Sequence, residues 1–290
     1  MNRWYASTES HSFRDLSTPV QDAGEGQVVF CLHGFPTSSW DFEPLWPALT
    51  KRSRAIAFDL IGLGRASKPA RPLPVSLQAD VAEHVLVSRG VTEAHLLAHD
   101  LGNTVGQELL ARQAEGSAKV KWRSTVFLNG GLFPESHQPR LIQKLLISPL
   151  GPLVAKLSTE RTFRRNMARV FGPNTPPSES FLSQSWQLLV ADGGKAALPR
   201  LIRYMAERKT HRERWVRPLT DEIVPMRLID GSLDPVSGRH LAERYETLVP
   251  HADVVHLPDL GHYPHVERPE AVQAPLLDFL EAQGAFSADS

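Results

Sequence analysis

A chain of 290 residues with 32 Lys+Arg against 32 Asp+Glu carries no net charge to draw it to nucleic acid. At 41% hydrophobic content it can bury a large core, yet no apolar run approaches the ~20 residues that span a bilayer. The one cysteine, Cys31, sits inside an apolar run, which excludes a disulfide framework and makes it a buried structural thiol.

Residues 1–10 show no hydrophobic signal core, so a cytoplasmic location is expected, with nothing that calls for membrane contact. Beyond them, short aliphatic and β-branched runs alternate with helical patterns, which predicts a parallel sheet with crossover helices. Residues 28–32 form the first run and end in His33-Gly34-Phe35-Pro36. Residues 55–58 follow and end in Asp59. The glycine-rich turn behind Asp59 lacks the spacing of a phosphate loop and reads as a structural turn. The run 94–98 leads through His99-Asp100-Leu101-Gly102 into a helical pattern over 103–112. A fourth run covers 125–128.

From about Leu132 to Trp215 this rhythm breaks. Helical patterns there are interrupted by Pro149, Pro152, Pro173, Pro176, Pro177 and Pro199, which predicts an inserted helical lid. The stretch holds 14 Lys+Arg against 6 Asp+Glu, so the remainder of the chain is net acidic. Its cluster Arg208, Lys209, Arg212, Arg214 reads as a solvated helix face. Two later runs, 226–229 and 254–257, complete an α/β pattern divided as core 1–131, helical cap 132–217 and core 218–290.

The polar residues that stand out fall at the C-terminal ends of these runs, where open α/β sheets place ligands. Small-x-Asp-x-Gly between a strand and a helix, at Ala98 to Gly102, is the pattern of a nucleophile elbow. A serine there attacks carbonyl carbon. Asp100 is ionised at pH 7 without help and can displace a leaving group from saturated carbon, giving an ester. The loop at His33 to Pro36 takes the usual place of a second oxyanion donor, so the donors are expected to be the amides of Phe35 and Leu101. Asp234, in the loop after 226–229, is the preferred acid to hold an imidazole, with Asp230 as the competitor. His262, after 254–257, is the expected base. Its neighbour His265 raises a metal-ligand reading, but no Cys/His/Glu cluster supports it, and no metal or cofactor is expected. His99 is expected to pack beside the elbow.

These motifs resemble the α/β-hydrolase superfamily, within it the aspartate-nucleophile branch of epoxide hydrolases and haloalkane dehalogenases. A closer likeness is to the mesoderm-specific transcript group and its bacterial relatives. It is carried by residues 33–39 (HGFPTSS), 129–137 (NGGLFPESH), 171–179 (FGPNTPPSE), 207–209 (ERK), 214–216 (RWV), 233–236 (LDPV) and 262–264 (HYP). The resemblance implies an α/β-hydrolase fold with a mostly parallel eight-stranded sheet, flanking helices, an inserted helical cap and an Asp-His-Asp triad. Dehalogenases of that branch typically grip the halide with a Trp after the nucleophile and an Asn after the His-Gly, where this chain has Leu101 and Phe35. Epoxide hydrolases typically use two lid tyrosines. Tyr204 matches one, the indole N–H of Trp186 is the candidate second donor, and His33 is grouped with them as a contact to substrate or leaving group. The expected reaction is hydrolysis of a small apolar epoxide by Asp100 and then water. A dehalogenase-like reaction and a non-catalytic ligand-binding module are the alternatives.

Overall fold

All six apolar runs are strands in the computed structural model, which describes residues 3–286. The strands are β1 Glu9–Phe13, β2 Leu16–Ala23, β3 Val28–Leu32, β4 Arg54–Phe58, β5 Glu93–Ala98, β6 Lys121–Phe127, β7 Met226–Gly231 and β8 Val254–Leu257. They form one sheet in the order β1-β2-β4-β3-β5-β6-β7-β8. The pairs β1/β2 and β2/β4 are antiparallel and all others parallel. The first two strands have no apolar run. β1 reads Glu-Ser-His-Ser-Phe and stays largely at the surface, whereas β2 buries Leu16, Thr18 and Val20, exposes Ser17 and contains the half-buried Pro19.

Register brings the loops together. Leu32 of β3 pairs with Ala98 of β5, Ala98 with Phe127 of β6, and Phe127 with Leu228 of β7. Gly231 then pairs with Leu257 of β8. The segments carrying His33, Asp100, Asp234 and His262 therefore all leave the sheet at one edge. β3 is buried at every residue, as expected of a strand covered on both faces.

The elbow is a tight passage from β5 into the helix Leu101–Ala114. Asp100 has φ 47 and ψ −106, outside the regions a non-glycine residue prefers. Such backbone costs about 1–3 kcal/mol and persists only where the surroundings enforce it. Here the Asp100 N–H donates to the Asn129 carbonyl at 2.9 Å, and the His99 N–H to that of Leu32 at 2.9 Å. Close approach also requires Gly102, where a Cβ would lie 2.1 Å from the Leu32 carbonyl oxygen.

Between β6 and β7 the described residues form helices and loops and no strand, from the helix Leu141–Ile147 to the helix Arg212–Thr220. The last of these packs on Leu101–Ala114. Buried Glu108 joins them, accepting from Trp215 Nε1 at 2.7 Å, from Arg112 Nε at 2.9 Å and from Arg214. Arg214 also pairs with Glu115 at 2.7 Å, and Arg212 with Glu135 at 2.5 Å. The reading of Arg208, Lys209, Arg212 and Arg214 as a solvated face is thus corrected: Arg214 ties the insertion to the sheet domain through Glu108 and Glu115, Arg212 pairs with Glu135 within the insertion, and Arg208 is only 2% exposed.

Replacing Gly102 by alanine is expected to cost about 1–3 kcal/mol, since a methyl group there meets backbone that cannot turn aside. Urea denaturation checks this, and an unchanged midpoint would mean the elbow is not packed as described.

Candidate active site

Asp100, His262 and Asp234 converge, although the first and third lie 134 positions apart in the chain. The His262 Nδ1–H donates to Asp234 Oδ2 at 2.7 Å, and Nε2 lies 4.0 Å from Asp100 Oδ1. Asp234 is fixed by further donors: the Val236 amide at 2.7 Å, the Ser237 amide at 3.0 Å and the Ser237 hydroxyl at 2.7 Å. Asn129, two residues beyond β6, donates to it at 3.2 Å and takes the Gly231 N–H at 2.7 Å. Asp230 faces elsewhere, accepting from the Ser232 hydroxyl at 2.8 Å with His256 at 3.5 Å. Of the two acids weighed from the sequence, Asp234 is the one that meets the imidazole.

The electrostatics follow from burial and from two carboxylates on either side of one ring. Burial disfavours the His262 imidazolium, but Asp234, by charge and hydrogen bond, and then Asp100 outweigh it, holding His262 at about 9. Burial would raise Asp234, yet His262, Ser237 and the Val236 amide bring it down to about 2. At neutral pH the pair is imidazolium and carboxylate.

Of the two expected oxyanion donors, the Phe35 amide reaches Asp100 Oδ2 at 2.9 Å. The Leu101 amide opens the helix, where N–H groups lack intrahelical acceptors; among the described residues it makes no such bond to Asp100. His33 stands behind this loop rather than in front of it. Its Nε2 accepts from the Leu60 N–H at 2.9 Å and its Nδ1–H donates to the Gly34 carbonyl at 2.9 Å. With both nitrogens used and the ring fully buried, His33 holds the Phe35 loop and does not face substrate space.

A cavity of about 130 Å³ adjoins the triad, lined largely by apolar side chains and including Phe35, Trp186, His262 and Tyr263. That is close to the size of cavities that admit a benzene-sized molecule. Trp186 is thus in the wall. Tyr204 is 1% exposed and outside the wall, but its hydroxyl has no partner among the described residues. Burial first, and then the nearby Asp100 charge, push its pKa far above the ordinary tyrosine value, so it remains a proton-bearing donor.

Arg208, which sequence reasoning put in solvent, lies beneath. Its Nε donates to Thr104 Oγ1 at 2.7 Å and Nη2 to the Asp100 carbonyl at 3.2 Å, with the guanidinium 4.6 Å over the Tyr204 ring. Among the described residues it has no ion pair. A Cβ on Gly131 would come within 2.2 Å of Nη1, so that glycine makes its room. Glu267 was also missed. One of its oxygens takes N–H groups from Gly172 at 2.8 Å and Gly261 at 2.9 Å and the Thr175 hydroxyl at 2.6 Å, joining the insertion to the His262 loop. For Asn129, the signal was its place at a strand end. For Arg208 and Glu267, periodicity offers none.

Behind His262, buried Asp41, His99 and His265 bring ligand-type atoms within 4.8 Å of one another. His99 Nε2–H donates to the His262 carbonyl at 2.8 Å, so it does pack beside the elbow. Burial pushes Asp41 up to about 8 and, with His262, brings His99 down to about 3. The group is a largely neutral polar layer: the His99 ring packs at a tilt against His262, centroids 5.0 Å apart, and His265 meets His99 edge-on at 4.7 Å.

The His262 value sets an expectation. Because the folded value of about 9 exceeds the ordinary 6.5, the protonated ring stabilises the fold below pH 6.5, and this is lost as pH rises through about 9. Asp234→Asn removes the largest raising influence and should shift the midpoint downward. Histidine NMR titration of both proteins checks it, and equal midpoints would contradict the assignment.

The comparisons with known proteins agree with this architecture. A model of the alpha/beta hydrolase family matches residues 28–274. The mesoderm-specific transcript protein of Mus musculus is 37% identical over 283 residues, covering 93% of this chain and 84% of that protein. Putative hydrolase LipZ of Mycobacterium tuberculosis (strain ATCC 25618 / H37Rv) is 38% identical over 259 residues, 89% of each chain. Among solved structures, haloalkane dehalogenase DbeA from Bradyrhizobium elkani USDA94 superposes with a TM-score of 0.80 at 21% identity, over 96% of this chain and 99% of that one. The last likeness is one of fold. The chain belongs to the alpha/beta hydrolase family.

Proposed function

We propose that this hydrolase opens a small apolar epoxide by way of an ester on Asp100, with residues 132–217 acting as the cap over the reacting atoms. One observation carries the reading: Asp100 keeps Oδ2 on the Phe35 amide and presents Oδ1 toward His262 Nε2, near a buried Tyr204 hydroxyl that has no hydrogen-bond partner among the described residues. A serine elbow would need His262 as its base from the outset. A carboxylate does not, and an imidazolium of pKa about 9 is a poor base at neutral pH.

In the first step Asp100 Oδ1 attacks an epoxide carbon and the C–O bond breaks. Tyr204, with Trp186 as the candidate second donor, holds the emerging alkoxide. Esterification neutralises the carboxylate 4.0 Å from Nε2, which removes one of the charges that keep His262 protonated. The proton His262 loses completes the alcohol. In the second step neutral His262, steadied by Asp234, takes a proton from water, and the hydroxide attacks the ester carbonyl. The Phe35 amide already lies 2.9 Å from the oxygen that becomes the oxyanion, within the range such donors need. Collapse expels the diol, restoring the Asp100 carboxylate and the imidazolium. Atoms balance as epoxide plus water to diol.

An oxygen leaving group is favoured over a halide because the donor in place is a phenol that stays protonated, and Leu101 and Phe35 provide no halide cradle.

His262→Gln should let the first step proceed and block the second, so incubation with small epoxides should leave an Asp100 adduct heavier by the mass of the epoxide. Absence of an adduct with a panel of styrene and alkyl oxides, while the wild type turns them over, would refute the scheme. Tyr204→Phe should lower kcat about 10–100-fold, the worth of a hydrogen bond to a charged oxygen, with the thermal midpoint nearly kept. An unchanged kcat would remove Tyr204 from the reaction.

A further inference from the structure

Exposed large hydrophobic side chains are scarce on this protein and not scattered. Among the described residues there are eight, and six lie between positions 141 and 157: Leu141 at 72%, Leu145 at 38%, Ile147 at 37%, Leu150 at 61%, Leu153 at 53% and Leu157 at 67%. They belong to the consecutive helices Leu141–Ile147 and Gly151–Leu157 and the turn between them. These helices pack on each other and on the helix Gly194–Leu201. Leu146, Gly151 and Ala155 are buried, and a Cβ on Gly151 would lie 3.3 Å from Pro199 of that third helix. The leucines are the side left over, facing away from it. A concentration of apolar surface on a chain that otherwise hides it marks an interaction site.

Charge narrows the occupant. Residues 138–169 contain seven Lys+Arg and one acid, Glu160. Arg164 pairs with Glu160 at 2.8 Å and Glu179 at 2.6 Å. Lys144, Lys156, Arg161, Arg165 and Arg169 are exposed and have no ion pair among the described residues. A second copy seated on this face would bring the same cations against one another. A bilayer with anionic headgroups offers the opposite charge beside an apolar layer, the combination that holds interfacial helices. No described helix is long and apolar enough to cross a membrane, so the contact would lie in the surface plane.

We propose that the outer face of residues 141–157 docks on anionic lipid membranes, leucines at the acyl boundary and the flanking lysines and arginines among the headgroups. This replaces the expectation of no membrane contact. The placement also bears on substrate. Ile142, Gln143 and Leu146 of the first helix line the triad cavity, so one helix separates the docking face from it. An apolar substrate dissolved in the bilayer would reach the site without crossing water. Membrane docking is independent of the reaction proposed above, whereas delivery of an apolar substrate rests on it.

The test is co-sedimentation of the full chain with phosphatidylcholine vesicles, with and without phosphatidylserine. We expect partitioning at least ~10-fold stronger on the anionic vesicles, weakening as salt rises. Leu153→Glu with Leu157→Glu should abolish it. Lys144→Glu with Lys156→Glu should weaken it about 30-fold or more, near tenfold per 1.4 kcal/mol with ~1 kcal/mol for each cation removed. All four positions are exposed, and circular dichroism confirms that each variant is folded. Equal binding to both vesicles, or binding that survives the paired leucine substitutions, would overturn the proposal. So would a solution dimer that those substitutions dissolve while vesicles capture nothing, which would assign the face to a second copy. Capture by an acidic protein in place of vesicles would overturn it as well.

Discussion

One imidazole between two carboxylates governs this site. Asp234 holds His262 from behind at 2.7 Å, and Asp100 faces it across 4.0 Å. Asp234 first and then Asp100 raise the ring to about 9 although burial pulls the other way. In the proposed reaction this arrangement sets the timing. The charge that keeps the ring protonated is the charge consumed when the ester forms, so the base is released when water has to be activated.

Keeping that spacing takes much of the surrounding structure. Parallel register delivers four strand ends to one edge, and the positive φ of Asp100 lifts its side chain above them. Asn129 and Ser237 fix Asp234, while His33 fixes the loop that brings the Phe35 amide to Asp100. The helical insertion contributes contacts to the site. Arg208 reaches in to the Asp100 carbonyl, Val170 accepts the His262 N–H at 2.8 Å, and Glu267 collects donors from both sides. Displacing the insertion would therefore disturb the site itself.

How much of this could be read from the residues depended on range. Strand ends announce themselves through short apolar runs followed by glycine or polar turns, and so Asp100, Asp234, His262 and Phe35 were legible. β1 and β2 were not, because a half-exposed hairpin with Glu, Ser and Pro has little apolar pattern to show. Arg208 was misread for a physical reason: by composition a cation in a basic run belongs in water, and only the fold reveals the glycine at 131 that leaves space for it. His33 looked like a site residue because it adjoins one, yet the neighbouring backbone occupies both of its nitrogens. The leucines of 141–157 fall in the predicted helical lid, and only their exposure in the fold distinguishes a docking face from packing.

The central claim is that a carboxylate, and not water directly, makes the bond to substrate carbon. A single turnover of excess enzyme with an epoxide in ¹⁸O-labelled water tests it most directly, followed by mass analysis of the peptide that contains Asp100. The account predicts heavy oxygen in the aspartate side chain and ordinary oxygen in the first diol released. Heavy oxygen in the diol with an unlabelled Asp100 would contradict it.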